Sequence, residues 1–565
     1  MKKALSLILS FCLILTIGII PAFAADKSDI NLIVASDLHV SEQTASAEDT
    51  DNPYEYSASH SNPALSLESK AIFASFLEKA SSSGADYLFI SGDLVNKGTI
   101  AEHLYMTEAL KAFEDKTGIK VLVINGNHDI YTTESDGVNA APSDFKNIYA
   151  SFGYSGAVAS DPDSCSYVYD LKSGYRLIAI DTCNYKSNAD ALTKERVSWV
   201  KTQLEQAKKD GKKVITMTHH AITEHFAYQK KVTPNHIINS YESFPELLAD
   251  NGVVYNFSGH VHINDIVKYT SVNMNSVYDV QTTSLSMYPV AYRNVKFSDS
   301  SVDFKTEYIT DIDTSLVSSG ANEASLKAMK DDFVSYSYGC FEAGVSSIVY
   351  KRLASPASIA SKVGEEGSAE YKAVYKLISK LSGIFYSPIY KTDEKTEGES
   401  FESLGEKYGF TVTASDYKTY NELIAKFVAG FYEGDENYDA NSVEMKVVKD
   451  CLKIGIAYAL DGEDDMTASV LASLIQKITG KQIPSVITDY LAKSLNISDY
   501  ASLFIDEYLG LIVEEITVDC SVGDNNISLP SYKISSPEYN KFANFLDKIL
   551  EIIRKIFSIL QNFFG

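Results

Sequence analysis

The feature that most constrains the fold of this chain is a regular alternation, between residues 30 and 310, of short apolar runs and amphipathic helical stretches. Six runs rich in Val, Ile, Leu and Tyr are typical of strands buried on both faces; they are Ile30–Ser36, Asp86–Ser91, Lys120–Asn125, Arg176–Asp181, Lys213–Thr218 and Val253–Ser258. Helical stretches lie between them, near Ser66–Ser82, Ile100–Phe113 and Leu192–Lys209. This order predicts β-α units around a buried sheet, and therefore an α/β fold.

The pattern changes near residue 311 and divides the chain into two predicted domains. Three alternating segments, Ser276–Gln281, Ala291–Phe297 and Val302–Ile309, predict antiparallel strands that close a first domain over residues 28–312. Beyond the stretch Asp311–Gly320, helical periods rich in Ala, Leu, Tyr and Lys predict a mostly α-helical domain over residues 320–540. A length of 565 residues supports this division, because single hydrophobic cores seldom grow that large.

Residues that can bind metals follow five of the predicted strands. In chain order these blocks are Asp37-Leu38-His39, Gly92-Asp93, Gly126-Asn127-His128-Asp129, His219-His220 and Gly259-His260-Val261-His262. Ligands of an open α/β sheet bind beyond the carboxyl ends of its strands, so we expect the five blocks to meet in space. The glycines leave room for sharp turns beside the bound group.

The residue types in these blocks indicate a centre with two divalent metal ions. Carboxylates, an amide oxygen and imidazoles suit Mn, Fe or Zn, and a carboxylate can bridge two such ions. Two ions roughly 3.5–4 Å apart stabilise the entering and leaving oxygens of a displacement at phosphorus. All ten histidines lie between positions 39 and 262, which agrees with a single histidine-rich centre. For His60, His103 and His236, outside the blocks, we expect no ligand role.

The five blocks, DLH, GDLVNKG, GNHD, THH and GHVH, resemble the signature of the calcineurin-like metallophosphoesterases. The resemblance covers residues 29–310 and implies a sandwich of β-sheets flanked by helices, with a phosphoester as substrate. It also implies two sets of metal ligands that share Asp93. One set is Asp37, His39, Asp93 and His262, and the other is Asp93, Asn127, His219 and His260.

The same resemblance implies roles for the residues around the ions. His128 would contact the phosphate and protonate the leaving oxygen, while Asp129 would orient its imidazole. The nucleophile would be a metal-bound hydroxide, not a side chain. His220 remains an alternative to His219, because both follow the same strand.

Departures from relatives narrow the expected substrate. The residues after Asp93 lack the tyrosine that binds ferric iron in purple acid phosphatases, and the second half lacks the β-rich domain of secreted nucleotidases. The GHVH ending is most similar to the phosphodiesterase-type branch, which favours a diester over a monoester. Four residues after motif strands are candidates for shaping the pocket, namely Tyr131, Asn184, Tyr185 and His225.

The N-terminus predicts export. Lys2 and Lys3 precede an apolar run over residues 5–20 and a small-residue cleavage pattern at residues 22–24, so residues 1–24 are interpreted as a signal peptide of a secreted or cell-surface protein. A net charge of −25 argues against non-specific nucleic-acid binding. Five cysteines follow the signal, so at least one is unpaired; Cys165 and Cys183 could pair or remain buried thiols.

The last residues, 541–565, predict an amphipathic helix. Its apolar seam consists of Phe542, Leu546, Ile549, Ile553, Ile556, Leu560 and Phe563. Charged residues between them argue against a membrane span. The helix could pack on the helical domain, mediate self-association or lie on a membrane surface. These uses leave a rival hypothesis, in which a surface-associated binding protein carries a structural metal site and a helical interaction module.

Overall fold

The computed structural model describes residues 29–42, 54, 63–187, 189–190, 192–361, 363–384, 386–391, 400–434, 438, 441–461, 501–502, 505–506, 513 and 523–532. The predicted signal peptide, the C-terminal amphipathic helix, His60 and most of the polar segment 41–65 lie outside these residues. Among the described helices, none combines the length and apolar character that crossing a bilayer requires.

Two mixed sheets form the first part of the protein. The strands, in chain order, are β1 Ile30–Ala35, β2 Tyr87–Ile90, β3 Lys120–Val123, β4 Ala159–Ser160, β5 Tyr167–Asp170, β6 Tyr175–Ile180, β7 Lys213–Thr218, β8 Tyr255–Ser258, β9 Ile266–Thr270, β10 Ser276–Gln281, β11 Ala291–Phe297, β12 Ser301–Tyr308 and β13 Asn526–Pro530. One sheet has the order β13-β12-β11-β1-β2-β3, and the other β4-β5-β6-β7-β8-β10-β9.

Parallel strands occupy the part of each sheet that carries the motifs. β1, β2 and β3 are parallel to one another, as are β6, β7, β8 and β10. β11 and β12 add antiparallel strands beside β1, as their alternating sequence predicts. β10 differs from that prediction, because it is antiparallel only to β9 and parallel to β8. The parallel arrangement brings the motif-bearing strand ends to the same side of the molecule.

The two sheets pack face to face around an aromatic core. Phe89 of β2 and Phe257 of β8 make an edge-to-face contact with ring centroids 6.2 Å apart. Tyr175 of β6 contacts Phe297 of β11 in the same geometry at 5.5 Å. All four side chains are fully buried. The structure therefore confirms the predicted sandwich of sheets.

Helices flank the sheets and form most of the described chain after residue 320. Those of the first part are α1 Ser69–Ser81, α2 Ile100–Thr117, α3 Pro142–Ile148, α4 Lys194–Lys209, α5 Gln229–Val232 and α6 Phe244–Asp250. The later helices are α7 Glu323–Asp331, α8 Phe333–Leu353, α9 Pro356–Ala360, α10 Ala369–Ile384, α11 Phe401–Tyr408, α12 Tyr420–Glu433 and α13 Val443–Leu460. Their bounds follow the sequence: Thr99 caps the first turn of α2, and Gly118 ends it with a φ of 73°. The predicted helical C-terminal region is thus confirmed.

One strand returns from the C-terminal region to the first sheet. β13 pairs antiparallel with β12, from Ser301 opposite Pro530 to Lys305 opposite Asn526. The sequence interpretation assigned these residues to the helical domain and did not anticipate the strand. The described cysteines are free and buried, so Cys165 and Cys183 do not form the bridge that was considered.

Candidate metal centre

The motif residues lie in sharp turns directly after the strands. Five of them have left-handed φ values between 44° and 72°, which are uncommon for residues other than glycine; they are Asp37, His39, Asp93, His260 and His262. Backbone bonds hold two of these turns, since the Asp37 N–H donates to Gly92 O at 3.1 Å and the His39 N–H to Asp93 O at 2.9 Å. A strained conformation at several neighbouring turns is typical of functional sites.

A first cluster of ligand atoms comprises Asp37, His39 and His262. The Nε2 atoms of His39 and His262 lie 3.2 Å apart. The Oδ1 atom of Asp37 lies 3.2 Å from His262 Nε2 and 3.9 Å from His39 Nε2. Asp37 is fully buried, and its carboxylate also accepts the backbone N–H of His260 at 2.9 Å.

The carboxylate of Asp93 lies between this cluster and a second one. Its Oδ2 atom is 3.7 Å from His39 Nε2 and 3.3 Å from His219 Nε2. Asp93, His219 and His260 form the second cluster of converging ligand atoms. The side-chain oxygen of Asn127 lies 2.9 Å from His219 Nε2 and so joins this side. Asp93 is thus placed to be shared between two ions.

Burial and mutual proximity set the charges in the centre. Burial would raise the pKa of Asp37, but His262 outweighs it and holds this pKa below its usual value. Burial lowers the pKa of His39 to about 3, which keeps its imidazole neutral and its lone pair available. For His219 burial acts in the same direction, yet Asp93 overcomes it and raises the pKa to about 9.

These residues fit a pair of divalent ions. Three overlapping groups of His and Asp ligand atoms, each within 4.8 Å of one another, share His39 and Asp93. Among the described residues, the ion pairs of Asp37 and Asp93 are all with histidines. Carboxylates and imidazoles that converge in this way match the ligands that Mn, Fe and Zn accept.

His128 lies at the edge of the centre, half-buried. Its backbone N–H donates to Asp93 Oδ1 at 2.7 Å, and its ring meets that of His39 edge to face, 4.7 Å between centroids. Its Nδ1 atom lies 2.9 Å from the carbonyl oxygen of Asn96 and 3.0 Å from the hydroxyl of Tyr131. Tyr131, considered for the pocket, is 44% exposed and contacts the His128 ring, so it lies beside the centre.

Asp129 does not make the predicted contact with the His128 imidazole. Its two carboxylate oxygens accept the backbone N–H groups of Val95 and Gly126, at 3.0 and 2.8 Å. Asp129 therefore ties the turn after β3 to the turn after β2, and the carbonyl of Asn96 takes the place expected for it beside His128. The prediction was wrong on this contact because backbone partners of a carboxylate depend on loop paths.

The two adjacent histidines after β7 have different surroundings. His219 faces Asp93, whereas His220 Nδ1 lies 2.8 Å from the hydroxyl of Thr182. His220 nevertheless packs against the ring of His260, with centroids 4.3 Å apart. The geometry favours His219 as the ligand, whereas His220 contacts Thr182 and the ring of His260.

Of the other residues considered from the sequence, some lie where we expected them and others do not. His236 was expected to have no ligand role, but its ring lies 5.2 Å from that of His260; no signal in its own sequence context indicates this. His103 is buried and bonded to Tyr149 and the carbonyl of Asp129, as a core residue. His225 and Tyr185 are also buried away from solvent, and Asn184 bonds Ser187, so none of these three is shown to line the pocket.

Comparisons with known proteins agree with this architecture. Residues 30–264 match the family model described as calcineurin-like phosphoesterase. A search of curated proteins found no match. The match thus covers the part of the chain that carries the five motif blocks, and it agrees with the family that those blocks resemble.

Similar solved structures were also found. A dimetal phosphatase from Danio rerio is 10% identical, with a TM-score of 0.38, over 50% of this chain and 97% of that one. A purple acid phosphatase from yellow lupin seeds is 12% identical, with a TM-score of 0.33, over 50% and 52%. The phosphopantetheinyl hydrolase of Mycobacterium tuberculosis is 15% identical, with a TM-score of 0.28, over 46% and 91%.

Proposed function

We propose that the protein is a metal-dependent phosphoric ester hydrolase with a dinuclear centre. The single observation that carries this proposal is the position of the Asp93 carboxylate, within 3.7 Å of histidines from both clusters. A bridging carboxylate between two sets of ligands is what a two-ion hydrolytic site requires. One ion would be held by Asp37, His39, Asp93 and His262, and the other by Asp93, Asn127, His219 and His260.

The two ions, when bound, would supply Lewis-acid stabilisation of the phosphoryl oxygens and an activated water. The residues of the chain position the reaction around them. His128 has its Nδ1 atom engaged by the Asn96 carbonyl, which fixes the ring and leaves Nε2 to hold a proton near the leaving oxygen. Tyr131 lies beside this ring and would contact the substrate at the solvent-exposed side of the site.

The substrate class that we propose is a phosphodiester or phosphomonoester, with the diester favoured. The support is the GHVH ending of the second histidine pair, which is similar to the phosphodiesterase-type branch. The residues after Asp93, Leu94 and Val95, are fully buried and offer no phenolate to a ferric ion. The hydrolase would therefore use divalent Mn, Fe or Zn.

We also propose that the protein works outside the cell membrane, in secreted or surface-associated form. The support is the export pattern of residues 1–24 and a net charge of −25, which suits a soluble extracellular protein. The segment 541–565 would then be free to pack on the helical region, self-associate or lie on a membrane surface.

The experiment that tests the proposed activity uses the full chain loaded with Mn²⁺. Hydrolysis of bis(p-nitrophenyl) phosphate and of p-nitrophenyl phosphate is measured for the wild type, for Asp93→Asn and for Asp163→Asn. Asp93→Asn should lose at least about 100-fold in kcat/KM, the upper end of the cost of disturbing a metal site. Asp163 is exposed and distant in sequence from the motifs, so the same change there should leave the rate unaltered.

A wild type that binds Mn²⁺ but hydrolyses neither compound, nor any member of a wider phosphoester panel, would contradict the proposal. That result would favour the rival binding protein with a structural metal site.

A further inference from the structure

The loop that carries His260 and His262 is held by hydrogen bonds from distant parts of the chain. The contacting residues lie at the end of α12 and in the two positions before β13, more than 150 residues away in sequence. These contacts involve Asn264, Arg293, Glu433, Asp524 and Asn525, which we call the brace cluster. None of its members belongs to the five motif blocks.

Asn264, two residues after His262, is the point of contact on the loop. It is fully buried, and its backbone N–H donates to the carbonyl oxygen of Phe431, in the last turn of α12, at 3.2 Å. Its side-chain amide donates to Asn525 Oδ1 at 2.8 Å and to Thr306 of β12 at 3.2 Å. The loop is thus bonded to three separate parts of the protein.

Asn525 closes the connection between the loop and the helical region. Its side-chain oxygen accepts from Asn264, while its Nδ2 atom donates to the carbonyl oxygen of Glu433 at 3.0 Å. Its backbone carbonyl accepts the N–H of Thr306 at 2.8 Å. One asparagine side chain therefore joins the motif loop to the end of α12.

Asp524 fixes the strand that follows the loop. Its carboxylate, fully buried, accepts the backbone N–H of Ile266 at 2.8 Å. Its carbonyl oxygen accepts from the buried guanidinium of Arg293, which also donates to Gln281 O at 2.9 Å. These bonds position β9 and β10 on the other side of the motif loop.

The packing at this junction is too close for larger residues. Gly434 follows α12 with a φ of 75°, and a Cβ there would overlap the carbonyl oxygen of Asn264 and lie 3.0 Å from the Asp524 Cβ. The end of the helix thus lies directly against the backbone of the motif loop.

The loop needs such support because it is strained. His260 and His262 have φ values of 72° and 66°, and residues in this region keep their conformation only when their surroundings enforce it. Asp37 holds the His260 N–H, and Thr283 donates to the His262 carbonyl at 2.6 Å. Beyond His262, the described hydrogen bonds of Asn264 are with Phe431 of α12, Asn525 and Thr306 of β12.

We propose that Asn264, Asp524 and Asn525 are positioning residues of the metal centre, which hold the loop of His260 and His262 in its ligand-bearing conformation. The inference rests on the proposed function, because it concerns the same centre. It assigns a role in the metal centre to the segment around β13, although that segment lies outside residues 30–264, which match the family model.

The test compares Mn²⁺ binding by the full-length wild type, Asn525→Ala and Asn526→Ala. Chelator-treated protein is titrated with Mn²⁺ in a calorimeter, well below the melting temperature of each variant. Asn525→Ala should bind both ions about tenfold more weakly, because His260 and His262 belong to different ligand sets and tenfold is the scale of losing a residue that supports a metal ligand. Asn526 is the exposed neighbour in β13, and its truncation should change neither affinity.

A purely structural role for Asn525 would lower the melting temperature and leave both affinities intact, which would overturn the inference. An equal loss of affinity in Asn526→Ala would overturn it as well, since the effect would then come from the strand in general. If Asn525→Ala does not fold, Asn525→Asp replaces it, because it keeps the acceptor for Asn264 and loses the donor to Glu433. This variant should also bind both ions more weakly, and wild-type affinities would again reject the inference.

The result separates the inference from the proposed function. A wild type that binds no Mn²⁺ contradicts the dinuclear centre itself. A wild type that binds two ions, with unchanged binding in the Asn525 variants, contradicts only the positioning role.

Discussion

At the scale of single residues, the centre depends on places where only glycine fits. A Cβ at Gly126 would overlap the backbone nitrogen and the carboxylate of Asp93, so Gly126→Ala must displace the carboxylate that we propose is shared by the two ions. We expect this variant to lose Mn²⁺ binding and hydrolysis together, by about 10- to 100-fold in metal affinity. The measurement is a Mn²⁺ titration followed by an activity assay.

The matched control for this change is Gly383→Ala in α10. A Cβ there meets nothing within 4 Å, and alanine favours a helix over glycine by up to about 1 kcal/mol. This variant should keep wild-type metal binding and melt at the same or a slightly higher temperature. Unaltered Mn²⁺ binding in Gly126→Ala would show that the turn after β3 is not part of the centre.

The identity of the converging side chains was predictable from sequence, but their hydrogen-bond partners were not. Asp37, Asp93 and His219 each follow an apolar strand, and parallel strands bring such positions to one side of a sheet. The contact of Asp129 with two backbone N–H groups, and the approach of His236 to His260, depend on loop paths that no periodicity encodes. The sequence thus predicts which side chains converge, but not the hydrogen bonds that orient them.

At the scale of elements, a buried ionic group ties three segments together behind the centre. His225, which follows β7, lies 2.7 Å from the carboxylate of Asp265 before β9 and 3.2 Å from that of Asp279 in β10. Burial would lower the pKa of His225, but the two carboxylates outweigh it and raise the pKa to about 10. The protonated imidazole therefore stabilises the folded protein.

The sign of the pH dependence follows from this shift. The pKa of His225 is raised in the folded state above its usual value of 6.5, so its contribution is complete below that pH and is lost as the pH rises towards about 10. We expect the free energy of unfolding, measured in urea, to fall by a few kcal/mol across this range, the order that linkage gives for shifts of this size. His225→Gln should flatten the decline.

His103→Gln provides the control, because burial lowers the pKa of His103 to about 4 and it does not titrate in this range. This variant should keep the wild-type slope even if it is less stable throughout. A His225→Gln protein with the wild-type slope would assign the decline to other groups.

The strands differ in how well their own sequence predicts them. Strands such as β1 and β7 are continuous apolar runs, and their predicted bounds agree with the structure within one residue. The short β4 and β5, and β13, in which exposed residues alternate with the half-buried Ile527 and the buried Leu529, lack that signal. β13 is a strand because it pairs with the edge strand β12. Since this partner is more than 200 residues away, the local sequence of β13 does not predict the pairing.

At the scale of the whole molecule, the helical region and the sandwich share an apolar interface. Phe341 of α8 is fully buried, and its ring lies 5.8 Å from that of Tyr288 in the sandwich and 5.0 Å from that of Tyr432 in α12. The hydroxyl of Tyr288 also donates to the carboxylate of Glu433 at 2.5 Å. Contacts of this kind couple the unfolding of the two parts.

Phe341→Ala should therefore destabilise the entire protein and not the helices alone. Truncation of a buried phenylalanine costs about 3–5 kcal/mol, and the cavity would open between the two parts. We expect one calorimetric transition in the wild type, and one transition at lower temperature in the variant. Val443→Ala, at a position that is 46% exposed, should melt like the wild type. A variant that shows a separate, early transition for the helices would mean that the sandwich keeps its fold without them, and the metal centre should then be assayed between the two transitions.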